Sequence, residues 1–116
     1  MEKLKDFVEM KVWQDAQNLA AKVYTDFEHT QDFSFTNQIK RAAISNNIAE
    51  GSERSTSTAF SRFLDIAKGS TGEVRSMYLL AVRLKHISED IAQQRTEDCV
   101  EISKQLAGFA KYLRNK

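Results

Sequence analysis

The stretch Phe60-Ser61-Arg62-Phe63-Leu64-Asp65-Ile66-Ala67-Lys68-Gly69-Ser70-Thr71-Gly72-Glu73-Val74-Arg75-Ser76-Met77-Tyr78-Leu79-Leu80-Ala81-Val82-Arg83-Leu84 decides the fold. Within it Phe60, Phe63, Ala67, Ser70, Val74, Met77, Ala81 and Leu84 recur at alternating steps of three and four. That spacing lines one face of an α-helix, and sustained without a slip it makes a heptad seam. Gly69-Ser70-Thr71-Gly72-Glu73 reads locally as a turn followed by a capping box. A break there would have no reason to preserve the phase of the seam on both sides, so one continuous helix of about 30 residues and about 45 Å is expected. Each glycine inside it costs roughly 1 kcal/mol relative to Ala, and the pair is expected to mark the close approach of another helix.

Working outward, Ser52-Glu53-Arg54-Ser55-Thr56-Ser57 supplies a loop and several N-caps for that helix. Before the loop, a second helix follows an N-cap at Ser34 or Thr36. It carries Phe35, Ile39, Ala42, Ala43, Asn46 and Ala49 on its inner side and closes on Gly51 as a left-handed residue. A first helix spans about Lys11 to Thr30, with Val12, Trp13, Ala16, Leu19, Ala20, Val23, Tyr24 and Phe27 at helical steps. After His86 and Ser88 a last helix buries Ile91, Cys99, Ile102, Leu106, Phe109 and Leu113, with a polar gap at Arg95. Four amphipathic helices with short connections predict an all-α, antiparallel, up-down-up-down four-helix bundle forming a single domain over residues 1–116.

Composition agrees. The chain has no proline and four glycines, too few turn residues for a many-stranded sheet. The single cysteine, Cys99, has no internal disulfide partner, which suits a reducing cytoplasm. Met1-Glu2-Lys3-Leu4-Lys5-Asp6 lacks the apolar block of a secretory signal. No apolar run approaches the roughly 18 residues of a membrane span, so a cytoplasmic protein without a membrane partner is expected. Charge is unevenly placed: residues 1–39 carry four Lys and seven acids, whereas residues 40–85 carry eight Lys or Arg against four acids.

Helical bundles often hold metal pairs, which require two Glu-x-x-His pairs and two further Glu on facing helices. The only near match is Asp26-x-x-His29, with no second copy, and His29 and His86 fall near helix C-termini, where positive charge is favourable. Paired cysteines and a phosphate-cradling glycine loop are absent. Cys99 lies on the apolar seam as a buried thiol, and the Ser and Thr residues of 52–61 have no nearby His. The expectation is no catalytic residue, no metal and no cofactor. One polar cluster stands out: Ser45, Asn46, Asn47 and Glu50 on the second helix, opposite Ser70 and Glu73 on the third, with Arg62 and Arg75 within reach. It reads either as a network fixing helix register or as a binding site at a subunit interface.

Two strings carry a resemblance. Gln38-Ile39-Lys40-Arg41-Ala42-Ala43-Ile44-Ser45-Asn46-Asn47-Ile48-Ala49-Glu50-Gly51 is followed by Arg54-x-Ser and by Phe60-x-x-Phe63-Leu64-x-Ile66-Ala67-x-Gly69-Ser70-x-x-Glu73. Together with Phe7-x-x-Met10-x-Val12-Trp13-x-x-Ala16, they resemble the bacterial four-helix bundle family whose first members were reading frames inside intervening sequences of large-subunit ribosomal RNA genes. Ala59, where an acid commonly precedes the Phe, and Gly72 depart from its pattern. The resemblance implies an up-down bundle that assembles as a ring-shaped homopentamer with no established enzymatic activity. The chain is also similar to the accessory protein of diversity-generating retroelements, a pentameric bundle that binds nucleic acid and a reverse transcriptase. The implied function is a homo-oligomeric, non-enzymatic binding protein whose ligand is RNA, DNA or a nucleic-acid-processing protein. The alternative is a structural or protein-interaction ring without nucleic acid. The basic residues expected to meet nucleic acid are Lys40, Arg41, Arg54, Arg62, Lys68 and Arg75.

Overall fold

The computed structural model describes residues 6–116; the charge alternation read over Met1–Lys5 lies outside them. A 3₁₀ turn at Phe7–Glu9, capped by the Asp6 carboxylate on the Val8 amide, leads into α1 (Lys11–Asp26). Then follow α2 (Phe33–Lys40), α3 (Ile44–Ser52), α4 (Ser57–Arg83) and α5 (Glu89–Arg114). The expected second helix is thus two helices, α2 and α3, and the bundle otherwise has the predicted order.

The break at Arg41–Ala43 has a physical reason. Continued in phase from Ile39, an unbroken helix would have faced the core with Ala42, Ala43, Asn46 and Ala49 and turned Ile44 and Ile48 to solvent. The break rotates the chain so that Ile44, Ser45, Ile48 and Gly51 are buried instead, with Ile48 fully enclosed. Each isoleucine removed from water contributes about 2 kcal/mol, more than the few helical hydrogen bonds forgone. Of the inner face expected at Ala42, Ala43, Asn46 and Ala49, Ala42 still packs against the core, whereas Asn46 turns to solvent and Ala43 and Ala49 are only half-buried.

α4 runs unbroken through Gly69 and Gly72, as the phase of its seam demands. Its buried stripe is Phe60, Leu64, Ala67, Thr71, Val74, Tyr78 and Ala81, joined by Ser61 and Met77. Phe63 and Ser70 are only half-buried and Leu84 is exposed. The buried face shares Phe60, Ala67, Val74, Met77 and Ala81 with the expected seam, because α4 packs against α3 on one flank and α5 on the other. Thr71 satisfies its buried hydroxyl by donating to the Ala67 carbonyl at 2.9 Å.

The glycines exchange roles relative to the sequence reading. A Cβ on Gly69 or Gly72 would meet nothing within 4 Å, whereas one on Gly51 would lie 2.6 Å from Phe63 Cβ. Gly51 is where α3 and α4 approach closely, and it sits inside α3 with no positive φ. The left-handed residue is Lys85, at φ 61° just past α4, where the His86 amide donates to the Ala81 carbonyl and the Lys85 amide to that of Val82. That pair of bonds is the Schellman closure.

α1 and α5 run antiparallel. Between α1 and α5 the cross-links Asp15–Gln105, Lys22–Asp98 and Asp26–Arg95 run with numbers rising on one helix and falling on the other. The order around the bundle is α1, α3, α4, α5, each packed on the next and α5 closing on α1. The molecule measures 50 × 20 × 20 Å.

Candidate nucleic-acid interface

The polar feature most deeply built into the fold is a clamp at the polar gap in α5. Arg95 donates through Nε to Asp26 Oδ2 at 2.7 Å and through Nη2 to Oδ1 at 3.1 Å. The hydroxyl of Tyr78, fully buried on α4, donates to the same Oδ2 at 2.7 Å. One carboxylate therefore ties α1, α4 and α5 together. Burial and the Asp26 carboxylate push the Tyr78 phenol far above the usual tyrosine range, so it stays protonated as a donor. The Asp26 hydrogen bonds raise Arg95 as well. All the strong donors present are aimed at Asp26, and the cluster fixes register. The sequence signal was there: a charged residue standing in an apolar seam needs a buried partner.

A second clip closes the same end. His86 Nε2 lies 3.0 Å from Asp32 Oδ2, and its ring packs edge-on against Phe35 with centroids 5.3 Å apart. Asp32 also caps α2 through the Phe35 amide, and the two hydrogen bonds hold its carboxyl below the usual range. His29 is exposed and approaches only Glu28, at 3.4 Å. Cys99 is buried, and burial pushes its thiol up to about 12. Among the described residues no three His, Cys, Asp or Glu side chains gather as a metal ion requires, and no helix is long and apolar enough to cross a membrane.

The polar cluster expected between the second and third helices is not assembled as a network. The rotation of α3 turns Asn46 and Glu50 to solvent, and Glu73 is exposed on α4, with Ser70 half-buried. Asn47 donates to the Ala43 carbonyl at 2.9 Å, and Glu50 accepts from Arg54 at 2.9 Å. Among the described residues no side-chain hydrogen bond joins α3 to α4. Ser45 is the buried member, and it accepts from Gln17 of α1 at 2.9 Å.

The six candidate cations fall in three places. Lys40 ends α2 with its Nζ 4.9 Å from the centre of the exposed Tyr24 ring, and Arg41 follows in the break. Beneath them is a small apolar pocket lined by Leu19, Val23, Ile39, Ile44 and Val74. Arg54 is engaged twice, by Glu50 and by the Phe63 ring 4.7 Å away, and Arg62 is exposed on α4. Lys68 and Arg75 stand together along the edge of α4 that meets α5. There they line a groove with Thr71, Gly72, Val100, Ser103 and Lys104. Lys104 was not among the cations read from the sequence, because only the antiparallel pairing brings it beside the other two.

Side chains thus bury a register clamp and leave most of the basic residues outside it, on an all-α bundle of antiparallel helices. The sequence profile described as "23S rRNA-intervening sequence protein" matches residues 8–108, and the chain belongs to that family. Among solved structures it is similar to a protein of unknown function from the S23 ribosomal protein family of Bacteroides thetaiotaomicron. That likeness has a TM-score of 0.80 at 24% identity, over 86% of this chain and 98% of the other, and it concerns the fold. No curated protein matches.

Proposed function

We propose that this chain is a non-enzymatic, homo-oligomeric nucleic-acid-binding protein of the cytoplasm, a ring of five copies as its family resemblance implies. The observation that carries the reading is the distribution of compensated charge. Three acids of α1 and α5 are engaged internally, Asp15 by Lys11 and Gln105, Asp26 by Arg95 and Asp98 by Lys22. Of the six candidate cations only Arg54 has an ion-pair partner among the described residues; Lys40, Arg41, Arg62, Lys68 and Arg75 have none. Cations left without an ion pair on each copy, repeated around a ring, give avidity to individually weak phosphate contacts.

Assembly is supported by apolar residues left in solvent on α4 and its C-cap, where Ile66, Leu79, Leu80 and Leu84 are each more than 40% exposed. The same residues favour the second reading, a ring that binds a protein partner and no nucleic acid. Light scattering coupled to size exclusion should give about five times 13.3 kDa. Fluorescence anisotropy with short RNA and DNA should show log affinity falling linearly with log salt, at about −0.7 per phosphate contact on single strands. A monomeric mass would remove the ring. Undetectable binding to either nucleic acid at about 50 mM salt, well below the physiological range, would leave the protein-interaction ring in its place.

A further inference from the structure

We infer that the phosphate backbone lies in the groove between α4 and α5, held by Lys68, Arg75 and Lys104, and that Lys40 and Arg41 stand outside the contact. This rests on the nucleic-acid reading above and assigns its locus.

Lys68 and Arg75 are seven residues apart, so they lie two turns and about 10 Å apart along one edge of α4. Lys104 faces them from α5, and all three line one groove that includes no carboxylate. None has an ion-pair partner among the described residues: Asp98 pairs with Lys22 of α1 and Asp65 with Arg114, while Glu97 and Glu101, which line the adjoining surface with Arg75 and Lys104, form no ion pair with them. Three cations converging without a direct ion pair repel one another, an arrangement relieved by a bound polyanion.

The rest of the lining suits a phosphodiester chain. Gly72 presents no side chain, and open space lies where its Cβ would be, so a backbone approaches α4 closely there. Ser103 offers a hydroxyl donor and Val100 an apolar contact for sugar. No aromatic ring lines the groove, so bases have no stacking platform, and recognition is of backbone rather than sequence. Beyond Arg75 and Lys104, the outer flank of α5 carries Glu97 and Glu101. Those acids repel a strand crossing α5 and steer it along the groove toward Lys68.

The opposite edge has different properties. α1 and α3 form the side of the bundle away from the α4–α5 seam, and there Lys40 is already seated on the Tyr24 ring. Arg41 is then a single free cation beside the acid-rich first helix.

The test is anisotropy with a labelled single-stranded 20-mer RNA and its DNA counterpart across a salt series. Wild type is compared with Lys104→Glu, with Lys68→Glu/Arg75→Glu, and with Lys40→Glu/Arg41→Glu. Circular dichroism and mass confirm that each variant folds and assembles as wild type, with Lys104→Gln and Arg75→Gln replacing any that does not. Lys104→Glu is expected to weaken binding about tenfold and to flatten the salt slope by about 0.7 or more, as loss of one or more contacts requires. The α4 pair should weaken it at least as much, and Lys40→Glu/Arg41→Glu should stay within about twofold of wild type. RNA binding that survives Lys104→Glu but is lost in Lys40→Glu/Arg41→Glu overturns this locus and leaves the nucleic-acid reading standing. Absence of wild-type binding to both nucleic acids overturns the two together.

Discussion

Replacing Gly51 by alanine should destabilise the protein, although the same change elsewhere in its helices should stabilise it. The new Cβ would sit 2.6 Å from Phe63 Cβ and 2.9 Å from Phe60 Cδ1, where ordinary contact begins at 3.4 Å. Phe63 Cβ is fixed to the α4 backbone and cannot rotate away. Phe60 is buried and packed edge-on against Phe109 at 5.1 Å, so its ring has no free direction either. Relief requires α3 and α4 to part by about 1 Å, and overpacking of this kind costs typically 1–3 kcal/mol. With two contacts below 3.0 Å, about 3 kcal/mol is the appropriate figure, and the better helix propensity of Ala returns about 1. The net loss of about 2 kcal/mol lowers Tm by about 8 °C for a chain of this size. Gly108→Ala is the control, since nothing lies within 4 Å of its Cβ and it should raise stability by about 0.5–1 kcal/mol. Urea unfolding followed by circular dichroism measures both, and Gly51→Ala/Phe63→Gly should show favourable coupling in the double-mutant cycle. If Gly51→Ala stabilises as Gly108→Ala does, α3 does not pack on Phe63 and the bundle is wrongly closed at that corner.

Arg95→Ala, which strands the Asp26 carboxylate, should cost about 3 kcal/mol in urea unfolding, and Tyr78→Phe, which removes one donor, about 1–2; a loss below about 0.5 from Arg95→Ala would show the clamp to be idle. Asp32 has a folded pKa depressed by His86 and the Phe35 amide, so its contribution is present above the unfolded value near 3.8 and is lost as pH falls through the folded value. Asp32→Asn keeps the cap, and the gap between wild type and variant should therefore narrow on acidification from pH 6 to 3; a gap that widens refutes the sign. Lys85→Gly should raise stability by about 0.5–1 kcal/mol, because it relieves a left-handed backbone at a solvent-exposed residue, and an unchanged thermal midpoint would contradict this.

The parts of the fold that sequence declared are those where one periodicity acts alone. The phase of Phe60, Ala67, Val74 and Ala81 carried α4 through two glycines, and Ser88 announced α5, whose Ile91 amide it caps. The break at Arg41–Ala43 was invisible because Lys-Arg-Ala-Ala are all helix formers; its trace was Ile44 and Ile48 standing out of phase with Ile39. The glycines were indistinguishable in one dimension, since only the neighbour on another helix tells Gly51 from Gly69.

The candidate interface was half legible for a related reason. Sequence counts charges, but a fold decides which of them are spent. The α1–α5 edge consumes Lys22, Asp26, Arg95 and Asp98 in two cross-helix pairs, while Lys68, Arg75 and Lys104 on the α4–α5 edge stay without an ion pair among the described residues. A net charge of +1 therefore understates what a phosphate chain meets in that groove. The Debye length is about 8 Å at physiological ionic strength, so a ligand there senses the three local cations far more than the distant acids of α1. Overall charge is thus the wrong index for this chain: its affinity for a polyanion depends on the partition of ion pairs between two adjacent edges of one bundle that share α5.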